Sequence, residues 1–178
     1  MWISGTNGII KLAENEPAKW YRPSKKPHSL SHNHIRAIKE DSDGNIWFAT
    51  DGGLNRYNAV ADNFDVFHIV DKEGKHSSNW VYALEEDGAN YMIGSYLGGL
   101  HYVSKSKFDS SGGVIVSDNS INVSSPIFKN LNLKLNNDLI NKVIKDPSGN
   151  IWILCFSDNI LTEVTPDGRV ERYNIEEM

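Results

Sequence analysis

The sequence repeats itself at intervals of about 45 residues, and no other feature limits its possible folds as sharply. Trp2, Trp47 and Met92 are spaced by 45; Gly8, Gly53 and Gly99 by 45 and 46; Leu12, Tyr57 and Tyr102 by 45. Ile38 recurs as Leu84, and Asp41 as Asp87. A last copy carries Ile144, Asp146, Gly149 and Trp152, with Trp152 following Met92 by 60 residues instead of 45. Extra chain therefore lies between Tyr102 and Asn136.

Within each copy, apolar residues come in runs of four to six with near alternation, fenced by Gly, Asn, Asp and Ser. That is a strand pattern; helical repeats of similar length need apolar stripes at a 3.6-residue period, which the chain lacks. A repeat of roughly 40–50 residues with several short strands predicts β-propeller blades, each a four-stranded antiparallel meander. The second blade reads as Ile35–Glu40, Ile46–Thr50, Leu54–Tyr57 and Phe64–His68. The third reads as Val81–Glu85, Tyr91–Ser95, Leu100–Val103 and Pro126–Leu131. The fourth reads as Ile140–Lys145, Ile151–Phe156, Ile160–Val164 and Val170–Tyr173. The N-terminus supplies only Trp2–Ser4, Ile9–Leu12 and Trp20–Arg22, so the first blade lacks its first strand. The expectation is an all-β, partial propeller of about four blades. As one 1–178 segment it divides into blades at about 1–22, 35–70, 80–133 and 139–174, with an insertion at 104–125.

Asp-Gly turns between the strands supply side-chain caps and positive φ. Trp47 and Trp152, in the second strands, read as core rings between neighbouring sheets, each worth on the order of 3 kcal/mol. Cys155, the one cysteine, sits in an apolar run and reads as a buried, inert thiol. The net charge of −5 and scattered Lys and Arg argue against a nucleic-acid partner. The longest apolar run, Ile151–Phe156, is too short to span a membrane, and no signal peptide precedes Trp2.

The phrase "IRAIKEDSDGNIWFATDGGLNRYN", residues 35–58, resembles the two-component regulator propeller repeat. "YALEEDGANYMIGSYLGGLHYV" (82–103) is a looser copy, with Met92 in the tryptophan's place. "NKVIKDPSGNIWILCFSDNILTEV" (141–164) keeps the first half but has Ser157-Asp158-Asn159 where the Gly-Gly turn belongs. "WISGTNGIIKL" (2–12) matches the second half only. The resemblance implies the extracytoplasmic sensor of a hybrid two-component protein, of the kind found in gut Bacteroidetes, that binds glycans or their breakdown products. It implies a periplasmic location, more propeller blades and a histidine kinase in a parent protein. Kinase motifs and a membrane span are not in this sequence. A four-blade arc cut from a larger ring leaves two uncovered blade faces, which predicts self-association of a fragment.

Propeller ligand faces are built from the turns between second and third strands and from the connections between blades. The first set gives Thr6-Asn7, Asp51, Tyr96 and Asp158; the second gives His34, Asn79 and Trp80. Trp80 and Tyr96 offer aromatic faces for the C–H side of a sugar ring, with Asp51, Asp158, His34 and Asn79 available to hydroxyls. Asp51 also reads as a plain turn residue. His28, His32 and His34 precede the second blade, but no carboxylate or cysteine cluster accompanies them in the sequence, so neither a metal nor any other cofactor is expected. No nucleophile–base–acid set is visible; the adjacent pairs Glu85-Glu86 and Glu176-Glu177 cannot cooperate, since neighbours on a strand face opposite ways. The insertion 104–125, with a "SSGGVIV" stretch that reads as a hairpin tip, either reaches over the ring or is a surface loop. A non-catalytic, oligosaccharide-sensing propeller is the leading reading. The alternatives are a propeller lyase or glycosidase using His32, His34 and Asp51, and a protein-interaction scaffold.

Overall fold

The computed structural model describes residues 1–70, 73–75, 79–117, 139–156 and 159–177. Strands β1 (Trp2–Ser4), β2 (Ile9–Lys11) and β3 (Lys19–Tyr21) form a three-stranded first sheet in that order. The second sheet holds β4 (Ile35–Glu40), β5 (Ile46–Thr50), β6 (Gly53–Asn58) and β7 (Asn63–Val70). The third holds β8 (Val81–Asp87), β9 (Asn90–Ser95) and β10 (Gly99–Ser104). A short helix α1 (Ser106–Ser110) and strand β11 (Val114–Val116) follow. The last sheet is β12 (Ile140–Lys145), β13 (Ile151–Cys155), β14 (Ile160–Val164) and β15 (Val170–Asn174). Consecutive strands within each sheet pair antiparallel, and the four open sheets make a partial propeller, as the sequence period requires. The strand expected at Pro126–Leu131 lies outside the described residues.

The insertion departs from the expected hairpin. Val114, Ile115 and Val116 pair parallel with His68, Ile69 and Val70, so β11 adds a fifth strand to the outer edge of the second blade. Phe108 of α1 and Ile115 of β11 are both buried and join the core between blades two and three. These two apolar side chains bring that part of the insertion down onto the blade instead of letting it project as a loop.

Alternation along β5 shows how blades share their side chains. Trp47 and Ala49 face the third blade, packing with Phe67, Leu84, Tyr91 and Phe108, while Phe48 faces the first blade with Ile9, Tyr21 and Phe64. Met92, in the tryptophan's position one blade later, is fully buried among Ile140, Ile151 and Ile153 of the fourth. Trp152 is only half-buried and leans on Tyr173 with ring centroids 6.0 Å apart. Its blade is the last in the chain, so it is less enclosed than the core ring expected. Cys155 is buried, as expected.

The recurring glycine has a plain cause. Gly8, Gly53 and Gly99 open the third strand of their blades at φ +96°, +113° and +73°. A Cβ on Gly53 would also come within 2.6 Å of the Phe67 carbonyl oxygen. In the fourth blade, where the glycine is missing, Asn159 takes the same place at φ +48°; asparagine is among the few other residues that accept this conformation.

Gly94 serves a different need. It lies in β9 against Ile140 of the next blade, where a methyl group would overlap the isoleucine side chain. Gly94→Ala is therefore expected to cost about 2 kcal/mol by forcing blades three and four apart. Thermal unfolding should show a fall of roughly 5 °C in midpoint.

Candidate functional site

One backbone contact repeats at the same end of the second, third and fourth blades. The residue after the second strand donates its N–H to the carbonyl of the residue before the first: Asp51 to His34 (3.3 Å), Tyr96 to Trp80 (2.9 Å) and Phe156 to Leu139 (2.8 Å). Turn and connection are thereby tied together, and the side chains chosen from the sequence fall into neighbouring pairs. Trp80 is 49% exposed. Its ring lies 5.5 Å from that of half-buried Tyr96, tilted by 34°, so the two pack against each other as a tilted pair. Tyr82 extends this platform, 6.0 Å from Tyr96 at 33°. Phe156 supports both tyrosines edge-on at 5.1 and 5.6 Å.

The polar side begins at Asp51. Its carboxylate accepts from Arg36 Nε at 2.6 Å and Nη2 at 2.5 Å, a bidentate pair, and lies 3.1 Å from His34 Nδ1. Burial alone would raise the Asp51 pKa, but the bonds from Arg36 and His34 hold it below the usual carboxylate range. Asp51 is thus more than the turn residue the sequence suggested. The Arg36 guanidinium in turn lies over the Tyr82 ring, 4.6 Å from its centre, joining the polar and aromatic halves.

The connection carrying the histidines is held from behind. Ser31 donates its N–H to Asn55 Oδ1 (2.9 Å), Asn55 Nδ2 donates to Ser31 Oγ (2.7 Å), and Ser31 Oγ meets Thr50 Oγ1 at 2.9 Å. Gly52 allows the close approach: a Cβ there would lie 3.0 Å from the Ser31 carbonyl oxygen and 3.1 Å from His32 Cβ. Donor atoms of His32, His34 and Asp51 come within 4.8 Å of one another, so sequence-distant groups do assemble here. As a metal centre the trio is poorly prepared. His32 Nδ1 already accepts the His34 backbone N–H at 3.1 Å, and Arg36 occupies both oxygens of Asp51. Zinc-ligating imidazoles have the opposite arrangement, donating the second ring N–H to an acceptor.

The remaining sequence candidates separate. Asn79 Oδ1 accepts the Ile69 N–H at 2.8 Å and its carbonyl accepts the Gly53 N–H at 2.8 Å, so it braces the connection. Thr6 and Asn7 are exposed at the first blade. Asp158 lies outside the described residues. Arg36 and Tyr82, which sequence reasoning passed over, prove to be the link between the two halves. Both are the second residue of a blade's first strand, and that shared position was the available signal.

Comparison with known proteins agrees with this architecture. The family of the two component regulator propeller matches residues 29–52, which hold β4, β5 and the histidine connection. This blade is a two component regulator propeller repeat. The repeats extend the likeness to a solved structure, the extracellular domain of the putative hybrid two component system BT4673 from B. thetaiotaomicron, at 33% identity and TM-score 0.80. That match covers 99% of this chain and 24% of the other, so the chain spans about a quarter of that domain. The corresponding domain of BT3049 from the same organism matches at 18% identity and TM-score 0.67, covering 96% of this chain and 21% of that one. Virginiamycin B lyase from Staphylococcus aureus matches at 13% identity and TM-score 0.58, over 98% of this chain and 55% of the lyase. The last two likenesses show the fold alone. No curated protein sequence matches the chain. No helix among the described residues is long and apolar enough to cross a membrane.

Proposed function

We propose that the chain is a ligand-sensing portion of an extracytoplasmic receptor of the two-component type, and that its ligand is an oligosaccharide. The observation that carries this reading is the contiguous run of tilted aromatic rings Trp80–Tyr96–Tyr82, with Trp80 open to solvent at one end and Arg36, Asp51 and His34 at its border. Aromatic faces receive the apolar side of a pyranose, and a fixed set of donors and acceptors beside them selects its hydroxyls. The likeness to receptor extracellular domains supports the sensing role and an extracytoplasmic location. A receptor of this kind signals only if its ligand binds one packing of the blades or subunits better than another. Further blades and a kinase in a parent protein, and pairing of two chains through their end blades, belong to the same proposal.

The lyase-like alternative is weaker on chemical grounds. The carboxylate of Asp51 is already neutralised by Arg36 and held below its ordinary pKa, which makes it a poor general base. The experiment is a thermal-shift screen against oligosaccharides, with the sugars analysed afterwards. A binding domain gains roughly 5 °C near saturation and returns the sugar unchanged. Newly formed sugar ends would contradict the sensing reading, and no shift with any sugar would contradict the ligand class.

A further inference from the structure

Three successive blades break register at the same place. Ile35 pairs with Thr50 and Ala37 with Ala49, leaving Arg36 as an extra residue. Tyr82 is extra between Val81 and Ala83, and Asn141 between Ile140 and Lys142. A β-bulge leaves its added residue outside the ladder and re-aims the side chain. Strands β4, β8 and β12 pack against one another in turn, so the bulged positions sit side by side on the inner strands. Their side chains meet across blade boundaries: Arg36 of the second blade lies on Tyr82 of the third, and Tyr82 on Phe156 of the fourth.

Arg36 is held on two sides, by the Asp51 carboxylate along its Nε–Nη2 edge and by the Tyr82 ring beneath its plane. The bonds to Asp51 use two of the five guanidinium N–H groups. Three remain, including both on Nη1, and the side chain is 33% exposed. The ionisable groups in contact around it, among the described residues, are Asp51 and Tyr82, with His34 and His32 beyond Asp51. A guanidinium fixed in this way offers a second fork-shaped edge without further loss of side-chain freedom. Such an edge matches a planar carboxylate or a sulfate, and hydrogen bonds to an ionised acceptor are roughly twice as strong as those to a neutral hydroxyl.

We propose that Arg36 is the specificity-determining residue of this face and that it receives an anionic group, the carboxylate or sulfate of an acidic sugar, on its Nη1 edge. The sugar ring then lies on Tyr82, Tyr96 and Trp80. This assignment rests on the reading of the face as an oligosaccharide site.

The test is a tryptophan-fluorescence titration of the 178-residue chain with two matched pairs. One pair is trigalacturonate and its fully methyl-esterified form; the other is galactose 6-sulfate and galactose. The anionic member of at least one pair is expected to bind tenfold or more tightly than its neutral partner, and which pair responds identifies carboxylate or sulfate. Arg36→Lys, which keeps the charge and loses the fork, should reduce that preference below threefold, and Arg36→Gln should abolish it. Both variants are checked by melting temperature, and the preference ratio is independent of how much folded protein is present. Equal binding of neutral and anionic members in both pairs, or a preference that survives Arg36→Gln, overturns the anionic assignment and leaves the receptor reading standing. Failure of all four sugars to bind overturns the anionic assignment, and the oligosaccharide reading is then decided by the thermal-shift screen alone.

Discussion

Replacing Asp41 by alanine is expected to destabilise the protein by roughly 4 kcal/mol, the largest loss from any single polar substitution in the blades, because several buried donors lose one acceptor together. Asp41 is 5% exposed. Its carboxylate accepts the Trp47 indole N–H at 2.8 Å, the Tyr91 hydroxyl at 2.5 Å and the Asn45 backbone N–H at 2.8 Å. The first and third bonds close the turn and fix the core tryptophan; the second crosses from the third blade. The turn, the ring and the blade interface therefore fail as a unit. A fall in melting midpoint on the order of 10 °C is expected. Asp146 repeats part of the arrangement, taking the Trp152 indole N–H at 3.0 Å and the Asn150 N–H at 2.9 Å, without a tyrosine from a following blade. Asp146→Ala should lower the midpoint less than half as far.

The same carboxylate gives the fold an acid limit. Burial pushes the Asp41 pKa up, but hydrogen bonds from Tyr91, Trp47 and Asn45 outweigh it and bring it down to about 2, from an ordinary 3.8. A depressed acid stabilises the folded state above its unfolded pKa, and that contribution, about 2 kcal/mol, disappears as pH falls from near 4 toward 2. The stability of Asp41→Asn should be correspondingly flatter across that range in denaturant titrations.

The second large effect concerns binding. Trp80→Ala removes the outermost ring of the aromatic run, and a tenfold or greater weakening of oligosaccharide affinity is expected, about 1.4 kcal/mol or more. Because Trp80 is 49% exposed, its loss should move the melting midpoint by no more than about 2 °C. Tyr96→Ala should weaken binding as much again, with a larger stability cost since its ring also packs on Phe156. The two losses will not add simply, as the rings touch. Calorimetric titration of both variants beside the parent chain separates these outcomes. An unchanged affinity in Trp80→Ala would remove the platform from the site.

The strands were legible because each carries its own local signals. Alternation fixes the face of Trp47 and Phe48, and the glycine at Gly53 marks a conformation few other residues tolerate. Trp80 and Tyr96 could be selected as candidates because blade periodicity alone places them at one end. Arg36 offered only the position it shares with Tyr82 in the repeat, since the bulge that re-aims it is a property of register and leaves no mark in the composition of β4. Asp51 looked like an ordinary turn aspartate because its partners come from a different strand. Asp41 likewise read as a turn cap, while its most informative partner, Tyr91, lies 50 residues away. The parallel pairing of β11 was hidden for a further reason: Val114–Val116 has the same apolar pattern whether it folds back as a hairpin or joins an existing edge.

The role of the aromatic face depends on whether ligand meets it. The chain has five tryptophans, so a nitrogen-15 spectrum shows five indole N–H signals: Trp2, Trp20, Trp47, Trp80 and Trp152. Titrating in a sugar that raises the melting point should move the Trp80 signal, while Trp47, 1% exposed in the core, stays in place. A saturating sugar that leaves Trp80 unmoved and shifts Trp20 or Trp152 instead would contradict it.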